Sequence, residues 1–81
     1  MTTLNQEHNQ TVVNILRTVL KLGSETDITT LTSDSLDSWD SMAQVNIVAA
    51  LESEFDLFIE TEDAEGMTSF DAICNYLIEE L

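Results

Sequence analysis

The chain has no proline, two glycines (Gly23 and Gly66), one cysteine, one histidine and two basic residues, Arg17 and Lys21. Each shortage excludes something. Proline and glycine punctuate turn-rich sheets, so a chain with so little of either points to helices. A lone Cys74 rules out a disulfide framework, and with His8 alone beside it no zinc site can be assembled. No apolar run reaches the roughly 18 residues of a membrane helix, and no basic-then-apolar leader opens the sequence. The expectation is a cytoplasmic protein that does not engage a membrane. Two cations stand against sixteen acidic residues, for a net charge of −14. Such a surface repels nucleic acid, attracts basic patches on proteins and opposes self-association, so a monomer with basic protein partners is expected.

What is present is 43% hydrophobic residues in 81 positions. That makes one domain over residues 1–81, small enough to bury only about 60% of its unfolded surface. Periodicity divides it into helices. Thr3 to about Leu22 carries the stripe Leu4, Val12, Ile15, Leu16, Val19 and Leu20, with Thr3 and Gln6 at capping-box spacing. Arg17 and Lys21 suit its carboxyl end, and Gly23 is the expected terminator. Ser24 to Trp39 is a long connection pinned by Ile28, Leu31, Leu36 and Trp39, with a turn of helix expected near Ser33 to Asp37.

A second helix is expected from Ser41 to Phe55, burying Ile47, Val48, Leu51 and Phe55. Its flank carries Met42, Val45, Asn46, Ala49, Glu52 and Ser53, a mixed apolar and acidic face suited to a partner. Met42 and Val45 could equally complete the core. Phe58 and Ile59 are expected to point inwards from a short connector. Thr61 to Glu65 reads as a very short helix capped by Thr61 and ended by Gly66. Thr68 or Ser69 caps a last helix to about Glu80, with Asp71 at capping-box spacing from Thr68. Its inner face is Phe70, Ile73, Cys74, Leu77, Ile78 and Leu81, with Tyr76 at the edge. The expected fold is an all-α bundle of four helices with a long first loop and a very short third helix.

No catalytic set emerges. His8 lies among polar residues, and Cys74 on an apolar helical face reads as core. Asp34, Asp37 and Asp40 lack the alternation, glycine and final glutamate of a calcium loop. No general acid or base is set apart among wet carboxylates. Ser41 remains, at the junction of an acidic loop and an apolar helix, where free N–H groups favour a phosphate. On periodicity alone the plainer reading is a helix cap, with Gln44 completing a capping box.

At these residues the sequence resembles the acyl carrier protein family. The resemblance runs from Asp40-Ser41-Met42 through Ala50-Leu51-Glu52-Ser53-Glu54-Phe55. It continues over Ile59, Glu62-Asp63-Ala64-Glu65 and Met67-Thr68-Ser69-Phe70, and covers essentially the whole chain. It implies an acyl-carrier-like bundle that is a carrier, not an enzyme. Ser41 would take a covalent 4′-phosphopantetheine arm from coenzyme A through a magnesium-dependent phosphopantetheinyl transferase, with Asp40 assisting. The arm's thiol would hold acyl groups as thioesters. Acyltransferases, ketosynthases and other thioester-using enzymes with basic docking patches would be the partners. Met42, Val45, Asn46, Ala49, Glu52 and Ser53 would form the recognition face. Asp34-Ser35-Leu36 mimics the attachment motif, but a helix counted from Ser35 would be six residues too long. Ser38-Trp39 ahead of the motif and Asn46 after it depart from the fatty-acid carriers and look more like polyketide or hybrid-peptide pathways. The rival reading is an acidic interaction protein or nucleic-acid mimic that binds a basic partner unmodified.

Overall fold

A computed structural model describes residues 4–81; the expected cap at Thr3 lies outside them. Four helices follow in order: α1 (Gln6–Leu20), α2 (Ser41–Phe55), α3 (Thr61–Glu65) and α4 (Phe70–Glu80). Among the described residues there is no strand beyond one isolated bridge, Thr32 with Ser69. The fold is therefore the expected all-α bundle of four helices, with a long first loop and a five-residue α3. No helix of the described residues is long and apolar enough to cross a membrane.

Helix α1 begins at Asn5, whose side chain accepts from the Glu7 N–H, and buries Val12, Ile15, Leu16 and Leu20. It ends at Lys21, not at Gly23. Lys21 takes a left-handed conformation (φ 57°), and its N–H and that of Leu22 both return to the Arg17 carbonyl. The Arg17 guanidinium then reaches forward to the Gly23 carbonyl and ties the exit down. Asp56 closes α2 in the same left-handed way (φ 54°).

The long connection is pinned, as its apolar residues require. It contains two short 3₁₀ turns, Ile28–Thr30 and Ser33–Ser35; the first was not foreseen. Asp27 caps the first by accepting from the Thr29 N–H and hydroxyl, which hold its carboxyl below the usual value. Ile28 and Trp39 are buried, and Leu31 and Leu36 pack against the core. The loop is also fastened to the start of α4, where Ser33 N–H donates to the Thr68 carbonyl at 2.8 Å and Phe70 N–H to Leu31. That extended pairing shifts the cap of α4 onto Ser69, whose hydroxyl accepts from Ala72 N–H, so the Thr68–Asp71 box does not form.

The core is one cluster drawn from all these pieces: Val12, Leu16, Ile47, Leu51, Met67, Ile73 and Leu77 are its fully enclosed side chains. Three expected members are missing from it: Phe58, Leu81 and Ile78, the last half-buried and turned to the side of α4 away from the cluster formed by Ile73, Cys74 and Leu77. Phe58 is 79% exposed: burial alternates along the connector, with Leu57 and Ile59 packed inwards and Phe58 turned out between them. Leu81 is 51% exposed, one turn beyond Leu77 with nothing packed over it. Thr61 does not cap α3 either. The Glu60 carbonyl takes the first helical bond, from Ala64 N–H, and no side chain caps that end.

Leu51→Ala should therefore cost about 2–5 kcal/mol, since it empties a site closed on every side. Phe58→Ser should stay within about 0.5 kcal/mol of the parent. Urea unfolding of the two variants checks both, and a large loss at Phe58 would contradict its outward placement.

Candidate functional site

The site grows from the first turn of α2. Its cap is Asp40, with extended backbone and a carboxylate oxygen that accepts from Ala43 N–H at 2.8 Å. The Asp40 carbonyl takes the first helical bond, from Gln44 N–H at 2.9 Å. Ser41 is thus the first residue inside the helix and not its cap, and the Ser41–Gln44 capping box does not form. The reason lies in Gln44, whose side chain is committed elsewhere. Its carbonyl oxygen accepts from the Trp39 indole N–H at 2.7 Å. Its amide donates to the Ala64 and Met67 carbonyls, each at 2.9 Å.

Ser41 is exposed, and among the described residues its hydroxyl makes no hydrogen bond. Ser35 and Ser38, each of which also follows an aspartate (Asp34 and Asp37), differ. Ser35 exchanges hydrogen bonds with Thr32, accepting from its N–H and donating to its carbonyl. Ser38 donates to the Leu20 carbonyl at 3.4 Å. Ser41 is the free hydroxyl of the three, at a helix start whose dipole and first N–H groups favour an anion. Beside it lies a cleft of about 230 Å³ lined by Ser33, Trp39, Asp40, Gln44 and Thr68.

The flank of α2 faces outwards. Met42 is 71% and Val45 64% exposed, so neither completes the core; Ala43, one residue away, is buried in their place. Asn46, Ala49 and Ser53 are exposed on the same helix. Glu52 is half-buried, and its carboxylate accepts from Ile59 N–H at 2.8 Å, anchoring the connector that leads to α3. Between α2 and α3 runs a groove of about 360 Å³, walled by Val45, Val48, Ala49, Ile59 and Ala64 with Gln44 and Glu52 at its polar edges. Sequence reasoning missed the groove and the role of Gln44. A glutamine three residues after a helix-opening serine looks like a capping partner, and only the position of α3 reveals its other use.

The remaining chemistry-bearing residues lie apart. His8 sits edge-on to Phe55, with ring centres 5.3 Å apart. Cys74 is in the core, and burial, then Asp71, pushes its thiol up to about 11. Among the described residues no three His, Cys, Asp or Glu side chains come together closely enough to hold a metal ion.

Two outcomes follow. Asp40→Ala should lower stability by about 1 kcal/mol through loss of the cap, while Ser41→Ala should change it by less than about 0.5 kcal/mol. Thermal melts of the pair decide between the two residues. The Cys74 thiol holds its proton more tightly in the folded chain than in the unfolded one. Its stabilising effect is therefore complete below pH 9.0 and is lost as the pH rises through about 11. Urea titrations of the parent and Cys74→Ala across that window should converge as the pH rises, the parent losing more. No known family model matches the chain.

Proposed function

We propose that the protein is an acyl carrier, bearing acyl groups on a 4′-phosphopantetheine arm esterified to Ser41. The observation that carries this reading is the division of labour at the start of α2. Asp40 caps the helix, so the adjacent serine hydroxyl stands exposed and unbonded where the helix favours a phosphate. The residues present fit the arm. An exposed Ser41 admits a transferase, and the cleft beside it gives the tether's amide groups hydroxyl neighbours at Ser33 and Thr68. When attached, the arm supplies a terminal thiol that holds acyl groups as thioesters.

The chain's own contribution is presentation. In the attachment, the Ser41 oxygen bonds to the phosphorus of coenzyme A that carries the pantetheine. The pyrophosphate link breaks, the adenosine bisphosphate leaves, and the serine proton passes to a base of the transferase. Helix α2 stabilises the resulting phosphodiester by about 0.3–1 kcal/mol. Asp40, held by Ala43 N–H, keeps a fixed carboxylate beside the serine for a transferase-bound magnesium ion. The exposed Met42, Val45, Asn46, Ala49 and Ser53 supply a recognition face, with Glu52 tied into the fold at its edge. Acidic surroundings steer partners with basic docking patches, such as acyltransferases and ketosynthases, towards that face. Polyketide or hybrid-peptide assembly is the pathway class in keeping with Ser38-Trp39 and Asn46 around the motif.

Incubation with coenzyme A and a broad-specificity phosphopantetheinyl transferase should add one arm to the intact mass. Ser41→Ala should abolish the addition and Ser35→Ala should leave it unchanged. An unmodified parent chain would favour an acidic protein that binds a basic partner as it is.

A further inference from the structure

Ser41 sits between two residues that are tied to each other. Trp39, two positions before it, is buried, and its indole N–H donates to the Gln44 side-chain oxygen at 2.7 Å. Gln44, three positions after it, is held from the far side as well. Its amide donates to the Ala64 and Met67 carbonyls, each at 2.9 Å, so both of its N–H groups are engaged. Residues 39–44 therefore form a clip across the serine, with one end set in the core and the other fastened at the end of α3.

Aspartate and serine are near-equal helix caps, so local preference does not decide which of Asp40 and Ser41 opens α2. A start one residue later would make Ser41 the cap and turn its oxygen onto the Gln44 N–H. Gln44 would then stand where a glutamine completes a capping box. The clip opposes that start twice. The side chain that would close the box is bonded to α3, and moving Ser41 out of the helix would swing the Trp39 indole away from its acceptor. We infer that Trp39 and Gln44 are positioning residues for the attachment reaction, holding the helix phase in which Asp40 caps and the Ser41 hydroxyl stays open. The role deepens the carrier reading and rests on it. Neither side chain touches the reacting atoms; together they set the fraction of chains that present the serine.

The test follows arm addition by intact mass in Gln44→Glu and Trp39→Phe, beside hydrogen exchange at the Ala43 amide. Gln44→Glu keeps the shape of the side chain, removes both donors to α3 and supplies the favoured box partner. Its kcat for arm addition should fall about tenfold, with KM for the carrier unchanged because the exposed face of α2 is intact. Trp39→Phe leaves both bonds to α3 in place and should lower kcat about twofold. In each, protection of the Ala43 N–H, bonded to Asp40 in the parent, should drop while Ile47 and Leu51 keep theirs. Should one variant fail to fold, the other carries the test. Parent kcat in a folded variant, a reduced kcat with Ala43 protection intact, or a change in KM alone overturns the inference. A parent chain that accepts no arm overturns the carrier reading instead.

Discussion

The bond from Ala43 N–H to the Asp40 carboxylate decides what Ser41 is. A helix start leaves its first N–H groups without partners, and a neighbouring hydroxyl or carboxylate is drawn in to satisfy them. Two adjacent residues, Asp40 and Ser41, could each have done so. Because Asp40 holds the extended backbone of a cap, the serine falls inside the helix with its oxygen directed to water. Had the chain entered one residue later, the serine would be the cap and its hydroxyl would be occupied. The attachment proposed for Ser41 depends on that one-residue difference in phase.

The same helix is used on more than one side. Ala43, Ile47 and Leu51 enter the core, while Met42 and Val45 lie exposed and the groove opens towards α3. Five residues are too few to be helical alone, since nucleation costs more than one turn returns. α3 therefore depends on its attachments: Gln44 holds its carboxyl end through Ala64 and Met67, and Glu52 holds the connector before it through Ile59. Both anchors come from α2, and both are polar side chains spaced so as to project towards the groove. The apolar core fixes α1, α2 and α4, whereas hydrogen bonds at the edges set the position of α3. Of the four helices, α3 is the one with least buried surface to hold it, and so the one most free to shift at small cost.

The helices and the core were largely legible in the sequence because they follow apolar spacing. Ser41–Phe55 and Thr61–Glu65 match the expected limits, and Ile47, Leu51, Ile73 and Leu77 lie where the periodicity places them. The misses occur where backbone geometry overrides composition. Gly23 invited a termination that Lys21 performs in a left-handed conformation, since the Arg17 carbonyl can receive two N–H groups there. Phe58 is apolar, yet its neighbours on both sides, Leu57 and Ile59, already take the inward places. At the candidate site, Ser41 was visible as a junction, but its freedom was not. That depended on Asp40 winning the cap and on Gln44 being drawn across to α3, two contacts between residues whose spacing also suits a capping box.

Charge supplies the remaining constraint. Of the acidic residues only Glu7 precedes Lys21, and both cations lie at the end of α1, where Arg17 is already bound to the Gly23 carbonyl. The surface from α2 onwards therefore has no internal compensation. Its self-repulsion shows at Tyr76, whose phenol is pushed up by burial and then by Glu80, Asp63, Glu60 and Glu52, carboxylates contributed by α4, α3, the connector and α2. A small domain with a thin margin of stability accepts this repulsion only at some cost. A basic partner would relieve it by placing cations where the fold has none. The field would then bring such a partner in quickly, and the exposed Met42 and Val45 would give it apolar surface to bury. Each contact alone is modest and readily broken, which suits a surface that has to meet several partners in turn and release each of them.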